Sequence, residues 1–422
     1  LREFLNTSKM LIGCHGNHLK DVIAYGATSI VDRSNFFMVK QVFLALFLDM
    51  FGLIAGTIAS NLTLFTRLAP WSLLAYPAIL SVRGAINGML CGRLSTSLHV
   101  GSVLPRIRRN TAYFYELLSS AFVLSTLMGL ILGLLTFSLS LLSGIPIPLS
   151  VASIPTVIVT MGFSSMMSIF ITSSIAVQAF KRGLDPDIIL YPVMSTLADI
   201  LVTACYVLSL SFLGIPHVGE ILLMALFLFL LSISFFLFLR LYRNSSSFRD
   251  IIKELWLSLL ILMPIEGIAG FALNSIRYRL EVYPGLMVIY PALIDSAGDM
   301  GSIAGSRTTT KLALGSLLPT ISSIRSLVKE FSLIVLSALP FYLALSFIAA
   351  IYSASFNRTL ILSPLLSGLT VVPLIICFAF VIAILAFKRG LNPDNFVNPL
   401  EACTADVMMT SVLALLVFTF GS

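Results

Sequence analysis

The chain has 422 residues, of which 58% are hydrophobic and only 11% charged, with a formal net charge of +7. A soluble domain of this length carries about 25% charged residues, so this composition excludes a water-soluble enzyme or binding module. The positive balance does not mark a nucleic-acid binder either, because lysines and arginines stand at the ends of apolar runs and no basic stripe interleaves with aromatics.

Residues 1–34 are too polar for a signal peptide or a span and read as a cytoplasmic N-terminal segment. Within them, "CHGNH" (Cys14–His18) matches no zinc spacing. Apolar runs then recur near 36–62, 71–98, 113–143, 150–180 and 191–213. Another lies near 218–240, and five more lie near 251–275, 285–310, 327–353, 361–387 and 398–420. Each is long enough for a bilayer-spanning helix of about 20 residues, and the short alternating segments of a membrane barrel are absent. The expectation is an all-α polytopic membrane protein with about eleven spans. Its scattered cysteines (14, 91, 205, 377 and 403) read as small buried hydrophobes.

The chain repeats itself. "YPAILSVRGAINGMLCGRLSTSLHVGS" (Tyr76–Ser102) aligns without a gap with "YPALIDSAGDMGSIAGSRTTTKLALGS" (Tyr290–Ser316), so that Arg93/Arg307, Thr96/Thr310 and Gly101/Gly315 coincide. "AFKRGLDPDIILYPVMSTLADI" (Ala179–Ile200) likewise returns as "AFKRGLNPDNFVNPLEACTADV" (Ala386–Val407). Residues 35–215 and 249–422 are therefore read as two five-helix repeats, joined by a linker span and loop over 216–248. Five is odd, so directly joined copies would be inverted; the linker restores a common direction. The reading is a single-chain pseudo-dimer, with its two-fold axis along the membrane normal. Arg106–Arg109, Lys181, Arg240–Arg249, Lys311, Arg325, Lys329 and Lys388 gather on one side. That predicts a cell-membrane protein with its N-terminus cytoplasmic and C-terminus outside.

Ionised groups are costly at mid-bilayer. The acids inside apolar runs are Asp49, Asp199, Glu266, Asp295, Asp299, Glu401 and Asp406. Asp199 and Asp406 occupy the same place in the two repeats, seven residues after Pro192 and Pro399. Helical spacing gives them faces of small and hydroxylated residues: Ser195, Thr196 and Thr203 in one copy, Ala402, Cys403 and Thr410 in the other. Two carboxylates from duplicated halves, facing each other in a low dielectric, repel, so that one protonates unless a cation sits between them. With oxygen donors and neither sulfur nor imidazole, that cation is hard and divalent, and Mg²⁺ suits a site that keeps its waters. The glycine-rich segments after Tyr76-Pro77 and Tyr290-Pro291 read either as close helix packing or as breaks exposing carbonyls. Asp295 and Asp299 draw the second segment toward ion contact, whereas Arg83 points the first the other way. "GLDPD" and "GLNPD" read as helix ends and turns, with Asp185, Asp187 and Asp394 as alternative cation-gathering groups at the mouth.

These paired motifs resemble the MgtE-type magnesium transporter family, and the two-copy arrangement is most similar to its two-repeat branch, solute carrier family 41. The likeness covers about Asn35 to Ser422 apart from the linker. It implies a central path in which Asp199 and Asp406 hold hydrated Mg²⁺, with backbone carbonyls of Ser195 and Ala402 nearby. Expected partners are Mg²⁺, with other divalent cations as candidates, and membrane lipid; the sequence leaves selectivity among Mg²⁺, Mn²⁺ and Co²⁺ open. The family's Gly-Gly-Asn element departs here to Arg83-Gly84-Ala85 and Ala297-Gly298-Asp299. No large cytoplasmic regulatory domain of the kind found in single-repeat members fits in residues 1–34. Na⁺-coupled Mg²⁺ exchange is the alternative within transport. An intramembrane protease using two aspartates is the alternative outside it, and no protease motif flanks either aspartate.

Overall fold

The computed structural model describes residues 38–183, 186–389 and 394–421, and regular structure among them is entirely helical. The first half holds α1 (Met38–Phe65), α2 (Ser72–Val100), α3 (Ala112–Leu142), α4 (Ser153–Lys181) and α5 (Pro186–Leu213). The linker is α6 (Val218–Asn244). The second half holds α7 (Ser246–Ser275), α8 (Gly285–Ala313), α9 (Ile324–Tyr352), α10 (Arg358–Lys388) and α11 (Asp394–Phe420). Ten of these are long and apolar enough to cross a bilayer. The exception is α8, which is 29 residues long but carries Asp295, Asp299, Arg307 and Lys311. The "CHGNH" stretch and Asp185 lie outside the described residues, as do the side chains of Asp187 and Asp394.

Hydrocarbon supplies no hydrogen bonds, so each segment must satisfy its peptide groups internally, which makes it a helix. Side chains mark the starts. Thr111 Oγ1 accepts from Phe114 N at the head of α3, Ser245 Oγ from Phe248 N at α7, and Asn357 Oδ1 from Leu360 N at α10. After α2 and α8 the chain turns on Gly101 (φ 80°) and Gly315 (φ 68°), the aligned glycines of the two copies. Both need the left-handed conformation that glycine adopts without strain.

The two halves pack alike. In the first, α2 touches α3, α4 and α5, α3 packs on α4, and α4 on α5; in the second, α8 touches α9, α10 and α11, α9 packs on α10, and α10 on α11. The first helix of each half crosses over. Helix α1 lies between its own α5 and the opposite α8, while α7 lies between its own α11 and the opposite α2. Close approach explains the crossing. A side chain at Gly56 would strike the Val288 backbone, and one at Gly270 would strike that of Leu74, the residue aligned with Val288. Packing at small residues, more than lipid exclusion, is what holds helices together in a membrane.

The linker stays outside this arrangement. It lies on α3, α4 and α5, with Leu230 seated over Gly162 and a Thr126–Ser234 hydrogen bond, while Phe229, Phe235 and Phe236 face outward. Polar contacts separate the two ends of the bundle. Thr66 Oγ1 donates to Glu281 at one end (2.7 Å), where Thr359 also meets the Phe420 carbonyl. At the other end Arg93 pairs with Glu254, and Arg307 and Lys311 share Glu330. Among the described residues no cysteine forms a disulfide; Cys91, Cys205 and Cys403 are buried as expected, but Cys377 on α10 is exposed.

Candidate functional site

The aspartates of the fifth helices come to the centre together. Asp199 on α5 is 7% exposed, and Asp406 on α11 is half-buried. Each meets the second helix of the other repeat at the same aligned position: Ser81 Oγ donates to Asp406 Oδ2 at 2.6 Å, and the Asp295 carboxyl lies beside that of Asp199. Asp199 and Asp406 are within electrostatic reach of one another. Along the same faces, Ser195 and Ala402 are exposed and Thr196 is half-buried.

Helices α2 and α8 present matching open stripes. Ser81, Gly84, Ala85 and Gly88 are partly exposed on α2, while the flanking Val82, Arg83, Ile86 and Asn87 are buried. On α8 the stripe is Asp295, Gly298, Asp299 and Ser302. These positions fall at i, i+3, i+4 and i+7, one helical face. At Gly84 and Gly298 no atom lies within 4 Å of where a side chain would project. Here the glycines neither pack helices closely nor break them, since α2 and α8 run unbroken. They leave room. Exposure on α2 continues through Gly92 and Thr96 toward the Arg93 end. In the other direction Tyr76 and Tyr290, both fully buried, close the axis. Their hydroxyls bond Thr203 (3.1 Å) and Thr410 (2.9 Å), each one turn past an aspartate of the pair.

The halves differ in how polarity is arranged. Asn87 on α2 donates to the Met194 carbonyl and accepts from Ser168 and Thr172. In the second copy the aligned positions are Gly301 and Glu401. Any side chain on Gly301 would collide with the Glu401 carboxyl, which is fully buried and takes a hydrogen bond from Ser302 at 3.3 Å. Arg83 turns away from the path and donates to Ser125 on α3 at 3.0 Å, leaving Nε and Nη2 without acceptors.

Two acids come closer to the centre than their position in the sequence suggested. Asp49 on α1 lies near Asp299 and Asp199, and Glu266 on α7 lies beside Asp406 and Ser81. The crossing of the first helices brings them there, and their spacing from Gly56 and Gly270 was the signal available. Among the described residues, no ion pair with a basic side chain reaches any of the seven acids. Nor do three His, Cys, Asp or Glu side chains converge tightly enough to ligate one bare ion.

The family profile MgtE, described as a divalent cation transporter, matches residues 76–209 and 290–416, one segment in each repeat. Solute carrier family 41 member 3 of Mus musculus is 26% identical over 81% of this chain and 74% of its own length. The Rattus norvegicus protein of the same name is 25% identical over 80% of this chain and 77% of its own. Solute carrier family 41 member 2 of Xenopus laevis is 22% identical over 94% of this chain and 74% of its own. A crystal structure of a eukaryotic MATE transporter overlaps 92% of this chain and 95% of its own at 12% identity and a TM-score of 0.31, a level that bears on neither fold nor function.

Proposed function

Because the chain belongs to the MgtE family of divalent cation transporters, and is a multi-pass membrane transport protein rather than an enzyme, we propose that its cargo is hydrated Mg²⁺ passing between the two repeats. Asp199 and Asp406 hold the ion at mid-membrane. Asp295, Asp299 and Glu401 add negative charge along the second copy, and Thr196 with the carbonyls of Ser195 and Ala402 offers neutral oxygens to the ion's waters. The repeats act as a parallel pseudo-dimer, with the Arg93 end cytoplasmic and the C-terminus outside.

One observation carries this reading: seven acids are gathered inside the bundle and, among the described residues, none is ion-paired with a base. An ionised carboxylate at mid-bilayer costs about 2.5–3.5 kcal/mol on insertion scales. Acids gathered this closely either protonate or share cations. Cations relieve this, and a divalent ion relieves two carboxylates at once. Held through its waters, Mg²⁺ needs no compact set of three side-chain ligands, in keeping with the dispersed acids. The Tyr76–Tyr290 layer seals the axis on the outer side, so the arrangement fits a path open toward the cytoplasm.

The test is flux from purified chain in proteoliposomes loaded with a Mg²⁺-sensitive dye. Wild type is expected to carry Mg²⁺, and Asp199→Asn and Asp406→Asn to fall to the level of empty vesicles while staying monodisperse. Full flux in either variant rejects the paired-aspartate reading. Repeating the assay with an imposed Na⁺ gradient separates a pore, which follows only the Mg²⁺ gradient and voltage, from Na⁺-coupled exchange.

A further inference from the structure

Two acids have no assigned part in the path, Asp49 of α1 and Glu266 of α7. They belong to the two helices that cross between repeats. Asp49 stands seven residues before Gly56 and Glu266 four before Gly270, so each shares a helical face with the glycine that beds its helix against the opposite repeat. That face is turned inward. Glu266 is fully buried with its carboxyl against that of Asp406 and near the Ser81 hydroxyl, and among the described residues neither oxygen has a hydrogen bond of good geometry. The Ser81 hydroxyl beside it gives its one proton to Asp406. Asp49 is 8% exposed, and its Oδ2 has no donor. It also sits where α1 tightens, with Phe51 N bonding Leu48 O in place of the α-helical partner.

A carboxyl kept for structure pairs with a base or accepts from hydroxyls and amides, because burial without either is costly. Instead, each of these two acids borders one member of the central aspartate pair, where any further negative charge adds repulsion. We propose that Asp49 and Glu266 are cation-binding residues of the path, so that the first helix of each repeat contributes a carboxylate to the waters of the same divalent ion. The inference rests on the reading of Asp199 and Asp406 given above. It extends the site from the second and fifth helices to the two crossing helices.

The experiment measures Mn²⁺ binding by loss of the free-ion EPR signal, using full-length chain in nanodiscs. Asp406→Asn tests the underlying site, and Glu266→Gln and Asp49→Asn test the extension. Each of the latter is expected to weaken Mn²⁺ affinity by about tenfold or more, as loss of an outer partner does. Without divalent ions, Glu266→Gln is also expected to melt at or above wild type and to gain less from Mn²⁺; a merely structural acid would melt lower with its Mn²⁺ gain unchanged. Wild-type affinity in Glu266→Gln or Asp49→Asn, with Asp406→Asn impaired, overturns the inference alone. Wild-type affinity in Asp406→Asn overturns the reading beneath it. Should Glu266→Gln not yield monodisperse protein, Asp49→Asn and the charge-keeping Glu266→Asp decide. Affinity lost in the former and kept within a few-fold in the latter supports the proposal, and the reverse overturns it.

Discussion

The phenol rings of Tyr76 and Tyr290, aligned residues of the two repeats, meet 6.1 Å apart at a tilt of 40°. Tyr206 stacks on Tyr76 at 6.2 Å and donates a hydrogen bond to the Ser72 carbonyl, which fixes the layer in place. Aromatic bodies at this distance fill the axis next to the acids. The double variant Tyr76→Ala, Tyr290→Ala is expected to raise passive divalent leak from dye-loaded vesicles tenfold or more, equivalent to about 1.4 kcal/mol off the barrier. Leak at the wild-type level would place the seal elsewhere.

Glycines of two kinds should respond in opposite ways. Gly84→Ala and Gly298→Ala place a methyl in open space on a helix and are expected to keep or raise stability, by up to about 1 kcal/mol, while lowering Mg²⁺ flux. Gly56→Ala and Gly270→Ala drive a methyl into the Val288 and Leu74 backbones. Each should destabilise the bundle by about 1–3 kcal/mol, read as a lower melting temperature of purified protein.

The second copy trades a side chain on α8 for one on α11. Gly301→Asn alone is expected to fail, because it overpacks against Glu401. Adding Glu401→Met reproduces the Asn87–Met194 arrangement of the first copy and should restore folding. A double-mutant cycle on melting temperature checks this, with a coupling of about 0.5–3 kcal/mol expected for touching residues. Purely additive effects would refute the exchange.

Thr126→Val cuts the bond to Ser234 and with it the polar tie between linker and first repeat. Interhelical hydrogen bonds in membranes are worth about 0.6–2 kcal/mol. Thermal stability should fall by that order, and flux per folded molecule should not change. A large loss of transport would give the linker a role beyond joining the halves.

Much of this architecture was legible from residue order. The spans, the repeat and the aligned Gly101 and Gly315 turns follow from hydropathy and local backbone rules. Asp199 and Asp406 stood out because duplication marked them. Less accessible were properties that arise only when helices meet. Nothing local says that α1 and α7 cross over, so Asp49 and Glu266 read as stray acids until Gly56 and Gly270 were seen against backbone. The stripe around Gly84 and Gly298 has the composition of a packing face, and only its neighbours reveal it as open. Arg83 appeared to oppose ion contact within the path, yet its side chain leaves the path for Ser125.

A homodimer must write each residue into two places at once, so whatever one subunit offers an ion at the axis, the other offers too. Here the halves share a single chain and have parted company: Ser81 aligns with Asp295, Asn87 with Gly301, and Arg83 with Ala297. On the path proposed above, an ion at the axis would therefore feel a lopsided field, stronger toward the second copy. Each wall can be retuned by mutation without the same change being imposed on its twin.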